Sequence, residues 1–176
     1  RLLFHICCAP CASYSTQTKL MPHYRVTWYF YNPNLSSLQE YERRLQAVRR
    51  AADILKVDLI TVPYRHEAWR ELVRDREHDV ERGARCQLCY RERLQAAYDF
   101  AKRRGFRYFS TSLLVSPYKD GEAIRKICRE LAAEGGPVFL NQDFQADNGF
   151  RASLDWARER GLYLQRYCGC EFSFRK

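Results

Sequence analysis

Seven of the eight cysteines fall into three tight groups, Cys7, Cys8 and Cys11, then Cys86 and Cys89, then Cys168 and Cys170, and only Cys128 stands alone. Any fold in which these groups act together must carry the two ends and the middle of the chain to one place. Disulfide stapling does not explain them. Eight cysteines in 176 residues is about 4.5%, under the roughly 8–10% of small disulfide-built domains, and a chain of this length can bury a core of its own. The opening Arg1-Leu2-Leu3-Phe4 reads as a core strand entered directly, with no charged and apolar export segment ahead of it. The expected setting is therefore a reducing cytoplasm, where gathered thiols serve metal binding or catalysis.

Between the cysteine groups, apolar runs alternate with amphipathic stretches. Leu2–Ile6, Tyr24–Tyr31, Asp58–Val62, Arg107–Thr111 and Val138–Leu140 are predicted strands. Tyr41, Leu45, Val48, Ala52 and Leu55 form a helical seam that leaves Arg43, Arg44, Arg49 and Arg50 mainly off it. Leu94, Ala97, Tyr98 and Ala101 form a second seam, and Ile124, Ile127, Cys128 and Leu131 a third, on which Cys128 is expected to pack as a small hydrophobe. This alternation predicts an α/β fold: a Rossmann-like parallel sheet with helices on both faces and the metal site at the carboxyl ends of the strands. One domain is expected over residues 1–176, its cysteine tail, from about 165 to 176, folding back to that site. No stretch approaches the roughly 18 consecutive apolar residues of a membrane helix, so a soluble protein with no membrane partner is expected.

His5-Ile6-Cys7-Cys8-Ala9-Pro10-Cys11 lies where the first strand hands over to a helix that Pro10 can open. Dinucleotide-binding sheets keep their phosphate loop there. Neither G-x-G-x-x-G nor G-x-x-x-x-G-K-[ST] occurs, so sulfur stands where the phosphate loop would be. One C-x-x-C alone is often a redox pair or two buried thiols. Two of them plus Cys168-Gly169-Cys170 point to metal. Seven thiolates exceed the four usual for a tetrahedral zinc site or a [4Fe-4S] cluster. One arrangement that uses them all is a four-ligand cluster beside a mononuclear iron with three thiolates and an open position for chemistry. The spacing leaves the partition between the two open, and a bridging thiolate fits it equally. Thirty Lys and Arg against 21 Asp and Glu give a net charge of +9, as expected for a polyanionic partner such as nucleic acid, although an acidic lipid surface would match the same charge.

Over nearly its whole length the chain resembles the metal-dependent epoxyqueuosine reductases of the QueH type. The carriers are the His5 to Cys11 segment, Tyr31-Asn32-Pro33-Asn34, Gly83-Ala84-Arg85-Cys86-Gln87-Leu88-Cys89-Tyr90 with Arg93-Leu94, Thr111-Ser112-Leu113-Leu114-Val115-Ser116-Pro117-Tyr118-Lys119, and the Tyr167-Cys168-Gly169-Cys170 ending. Departures are Ala9 where many members have Gly, Ser112 where many have Thr, and Gln145-Ala146-Asp147 without the basic residues that often follow the Asp-Phe pair. The resemblance implies the last step of queuosine formation: two electrons and two protons convert the epoxide of epoxyqueuosine, at the wobble position of tRNA, to a cyclopentene, with loss of water. It also implies a [4Fe-4S] cluster with an adjacent mononuclear iron, an external electron donor such as a reductase or ferredoxin-like protein, and as partner a tRNA carrying epoxyqueuosine in its anticodon loop.

Within the matching motifs, Asp143, Lys119, His5 and Tyr118 are the candidate proton donors, and all seven grouped cysteines the candidate ligands. Asn32, Asn34, Arg85, Tyr90, Arg93 and Ser116 are candidate substrate contacts. Tyr31, Tyr90 and Tyr118 are candidates to stack on an extruded nucleoside, with a place in the core as the alternative for each, and Arg43, Arg44, Arg49, Arg50, Arg82, Arg85, Arg91 and Arg93 are candidates to follow the phosphates. Each has a structural alternative: a core histidine for His5, a helix cap for Asp143, a turn for Asn32 and Asn34, a solvated helix face for the arginines. The competing function is a zinc-stabilised RNA-binding module without turnover.

Overall fold

The computed structural model describes residues 1–173; residues 174–176, the end of the expected tail, lie outside the described residues. The central strand β1 (Leu2–Ile6) is buried along its whole length. A run without polar alternation suits a strand covered on both faces. Around it β2 (Val26–Phe30), β3 (Asp58–Thr61), β4 (Tyr108–Thr111) and β5 (Val138–Phe139) make a five-stranded sheet in the order β3-β2-β1-β4-β5. Every pairing is parallel. The predicted strands are all present, shortened by one to three residues where they had overrun, and the partly exposed β3 and β5 are the edges.

Helices cover both faces. Along β2, Trp28 donates from Nε1 to Thr16 Oγ1 at 2.9 Å, and the Phe30 ring lies 5.4 Å from Tyr41 of α2 (Leu38–Leu55). Tyr29, between them, stacks instead on Phe100 of α4 (Ala84–Arg103) at 4.9 Å. The period of two thus assigns α2 to one side and α4 to the other. The short α1 (Ala9–Ser15), continued by a π-helical turn Thr16–Leu20, packs with α2 and with α6 (Gly149–Glu159); α5 (Gly121–Ala133) packs on α4. Cys128 lies on the core stripe of α5, fully buried, as its spacing predicts.

Two features depart from the sequence reading. A short helix α3 (His66–Leu72) precedes α4, and its Trp69 joins Val73, Cys89 and Cys170 in a small second core. Arg44, expected beside the seam of α2, is 2% exposed, because the C-terminal segment covers that face.

The strand order reverses direction between β1 and β4. In a doubly wound sheet the loops leaving two such strands diverge and open a crevice beyond their carboxyl ends. Cys7 follows β1 and Ser112 follows β4, so the sulfur-rich corner falls at this crevice.

Candidate metal centre

Cys7 and Cys8 turn the chain out of β1, and Cys8, in an extended conformation, precedes α1, which opens with Ala9 and Pro10. Pro10 loses nothing there, since the first helical amides have no partner within the helix. Cys11 falls in the first turn. The three Sγ atoms lie within 4.8 Å of one another, with Cys7 and Cys8 at 3.5 Å, and all three residues are buried. Metal–sulfur bonds of about 2.3 Å in a tetrahedron put sulfurs about 3.8 Å apart. The corner therefore already has the spacing of three ligands to one ion, and its soft donors suit iron or zinc. Ser112 ties it to β4: its Oγ accepts from the Cys7 amide at 3.0 Å and donates to Cys7 Sγ at 3.4 Å. Hydrogen bonds from Cys11 and Cys8 hold the Cys7 thiol well below its usual range against burial. Cys8 is pulled down by Cys11, but Cys7 and burial outweigh this and push it up to about 12.

Of the other four thiols, Cys168 acts electrostatically on the remaining three. Cys86 and Cys89 are one turn apart near the start of α4, and Cys170 packs with Cys89 against Trp69. Burial first, and then Cys168 among other neighbours, raises each of Cys86, Cys89 and Cys170 above the usual thiol range. Cys168 goes the other way. Burial opposes its ionisation, but Lys119, whose Nζ donates to its Sγ at 3.0 Å, together with Arg93 and Arg44, brings it below that range.

Three cations stand between the groups. Lys119 acts on both Cys7 and Cys168, Arg93 on Cys7, Cys89 and Cys168, and Arg44 on Cys8 and Cys168. Buried thiolates need such compensation. Arg44 also fastens the tail. Its Nε donates to Glu40 Oε1 at 2.7 Å, Nη1 to the Cys168 carbonyl at 3.0 Å and Nη2 to the Tyr167 carbonyl at 3.2 Å. Gly169, at φ +129°, fits beneath it, and the Ser36 amide donates to the Gly169 carbonyl at 2.9 Å. Glu171 closes the other side through Arg70 at 2.6 Å and His66 at 3.3 Å.

A cavity of about 230 Å³ opens onto this sulfur. Cys7, Cys11, Cys168 and Lys119 line it, with Tyr118, Phe150 and Arg166 among its other walls. A wider cleft of about 750 Å³ adjoins at Lys119 and includes Arg82, Arg125 and Asp143.

A family model described as "Epoxyqueuosine reductase QueH" matches residues 2–176. The epoxyqueuosine reductase QueH of Haemophilus influenzae is 32% identical over 99% of this chain and 72% of its own length. That of Thermotoga maritima is 32% identical over 98% of this chain and 89% of its own, and that of Dehalococcoides mccartyi 33% identical over 98% and 92%. The chain belongs to the epoxyqueuosine reductase QueH family. As a QueH protein it is an oxidoreductase.

In this QueH chain the candidate residues divide sharply. Lys119, Tyr118 and Ser116 line the cavity. His5 does not. It is fully buried, its ring accepting at Nδ1 from Thr111 Oγ1 at 2.8 Å and donating from Nε2 to the Tyr31 carbonyl at 3.1 Å, and burial, aided by Arg93, pushes it down to about 3. A histidine kept neutral and bonded at both nitrogens joins strands; it has no proton to give at neutral pH. Asp143 is exposed in the outer cleft, where its Oδ1 accepts from the amides of Gln145 and Ala146 in a local turn.

The expectation that Arg85 and Arg93 follow phosphates is corrected by their burial, at 2% and 1% exposed. Arg85 Nη1 donates to the carbonyls of Arg76, Glu77 and Asp79, and Arg93 Nη2 donates to Asn32 Oδ1 at 2.5 Å. Asn32 in turn donates to the Ile6 carbonyl at 3.0 Å, so these residues brace the end of β1 from within. Asn34 and Tyr90 are buried as well, and Tyr31 Oη donates to Glu92 at 2.7 Å. Arg44 of α2 is likewise withdrawn from the phosphate track by its bonds to the tail. Residues the sequence reading missed are Phe150 and Leu154 of α6, Gln165, whose Nε2 donates to Cys8 Sγ at 2.8 Å, and Arg166. Phe150 and Leu154 are four apart, an i,i+4 pair that marks one face of α6.

Proposed function

We propose that this protein reduces the epoxide of epoxyqueuosine at the wobble position of tRNA to the cyclopentene of queuosine, the last step in making that nucleoside. The observation that carries the reading is a cavity floored by Cys7, Cys11 and Cys168 in a chain of the QueH family. The reaction takes two electrons and two protons, breaks both epoxide carbon–oxygen bonds, forms the double bond and releases water. The seven grouped cysteines fit a [4Fe-4S] cluster and an adjacent iron: Cys7, Cys8 and Cys11 have the spacing for the single ion, and Cys86, Cys89, Cys168 and Cys170 form a four-thiol set. When bound, these metals supply Lewis acidity and one-electron transfer. An external donor provides the electrons.

The chain's own residues have separate tasks. The cavity admits a nucleoside-sized group and excludes a folded RNA, so the target base leaves its stack to reach the sulfur. Lys119 is the proton-donor candidate best supported by position. Its ammonium sits on the cavity wall against Cys168, where it can hydrogen-bond the departing oxygen. Burial lowers its pKa, but the Cys168 and Cys7 thiolates outweigh burial and keep it charged. Tyr118, at the mouth, is the second candidate. Among the described residues no helix is long and apolar enough to cross a membrane, and the reading places the protein in the cytoplasm with its RNA substrate.

The test is anaerobic purification followed by iron, zinc and acid-labile sulfide analysis, then turnover of epoxyqueuosine-containing tRNA with a chemical reductant. About five irons and about four sulfides per chain are expected. Zinc alone, without sulfide after anaerobic reconstitution and without turnover, would establish the RNA-binding module instead.

A further inference from the structure

We propose that Tyr118, Phe150 and Arg166 form a subsite for one extruded nucleoside and its flanking phosphate, with the two rings taking the base and the guanidinium the phosphate. This rests on the reading of the protein as a tRNA reductase and names the residues by which it holds its substrate.

The first argument is geometric. The cavity's sulfur is at its floor, and Tyr118 and Phe150 line the same space. Their ring centroids are 5.7 Å apart at 84°, an edge-to-face pair, and Tyr118 remains 55% exposed. The two rings together give the wall of a polar cavity an aromatic surface, part of it exposed. Bases are held on such faces without regard to sequence, because every base has a π-face. Phe150 is fixed by the first turn of α6, whose Ser153, Trp156 and Ala157 are anchored in the core, so the wall is rigid.

The second argument is charge. Three cations line the cavity, and two are committed: Lys119 to Cys168, and Arg44 to Glu40 and the tail carbonyls. Arg166 is exposed, and among the described residues no group hydrogen-bonds or ion-pairs with its guanidinium. Glu81 is on the same rim, the one carboxylate of the lining. A guanidinium offers the planar two-pronged donor that phosphate oxygens accept. It stands three residues after Tyr163, whose hydroxyl bonds both Glu40 oxygens, and two before Cys168, so it is carried on a well-fastened stretch.

The test uses full-length, anaerobically reconstituted protein and a fluorescently labelled anticodon stem-loop carrying epoxyqueuosine, with binding read by anisotropy across a salt series and KM and kcat measured in parallel. Phe150→Ala is expected to weaken binding about tenfold to a hundredfold, and Phe150→Tyr, which keeps the ring, to restore it to within about threefold. Arg166→Gln is expected to lower the slope of log K against log salt by about 1. Arg107→Gln, an exposed change at the far end of β4, is expected to leave the slope as it is. Tyr118→Ala, whose ring is exposed, gives a loss of affinity that misfolding does not explain, provided iron and sulfide content match wild type. Wild type that converts the RNA while Phe150→Ala, Tyr118→Ala and Arg166→Gln all retain its affinity, KM and slope overturns the subsite alone. So does an Arg107→Gln slope as low as that of Arg166→Gln. Wild type that neither binds nor converts the RNA overturns the parent reading together with the subsite.

Discussion

Cys7, Cys8 and Cys11 lie within five residues of one another at a strand-to-helix corner, whereas Cys86, Cys89, Cys168 and Cys170 come from a helix and from a tail 79 residues beyond Cys89. The corner is set by backbone: β1 ends, Pro10 starts a helix, and the Ser112 hydroxyl at the end of β4 bonds the Cys7 amide. The other half is set by side chains remote in sequence, Arg44, Lys119 and Arg70 among them, gripping a tail with little regular structure. A site can thus be half scaffold and half clasp, and the two halves should fail separately.

The largest effect is expected from Arg44→Ala. It takes from Glu40, itself buried, its one buried cation, leaving the Tyr163 hydroxyl and the more distant Arg43, and frees the Cys168 and Tyr167 carbonyls. Breaking a buried pair from one side costs about 3–5 kcal/mol, readable by urea unfolding of the metal-free protein. Hydrogen exchange should show lost protection at residues 167–171 and retained protection at residues 7–11; equal loss at both would break the distinction. Gly169→Ala comes next. Its Cβ would stand 2.5 Å from Leu35 Cδ2 at a left-handed φ, so about 1–3 kcal/mol should be lost by the same measurement.

Lys119→Met should leave stability closer to wild type and change reactivity. The ammonium holds Cys168 below the usual thiol range against burial. Without it burial gains, the thiol pKa rises, and alkylation of Cys168 in reduced, metal-free protein should begin at higher pH, as followed by site-resolved mass spectrometry. Cys128→Ala should have the smallest effect, about 1 kcal/mol for one buried heavy atom, with iron and sulfide content unchanged. Burial pushes the Cys128 thiol up to about 12, so in the folded, metal-free protein it should resist alkylation at pH 8 while Cys168 reacts.

The scaffold half was readable because its signals are local. Apolar runs and helical seams place all five strands and α2, α4 and α5, and a C-C-x-x-C with a proline inside it at a strand end marks the corner directly. The clasp was not, because a side chain's burial depends on what arrives from elsewhere in the chain. Arg44, Arg85 and Arg93 look like surface cations until the tail, the loop at residues 76–79 and Asn32 take up their donors. Polar residues in a motif signal importance without saying whether they face substrate or brace the wall behind it. Phe150 and Leu154 left a faint i,i+4 signature, whereas nothing near Arg166 in sequence says that it reaches the cavity. The short α3 gave too few turns to show a period.

That the grouped cysteines come from the beginning, the middle and the end of this sequence bears, on the proposed reading, on the protein's lifetime in a cell. An unfolded chain offers at most one C-C-x-x-C, one C-x-x-C and one C-x-C, each too small to hold the full metal complement proposed, so that complement would bind the native form almost exclusively. Its binding energy then adds to native stability by mass action. On the proposed reading, iron supply would govern how much of this protein survives proteolysis as well as how much of it is active, and chains made during iron scarcity would be cleared first.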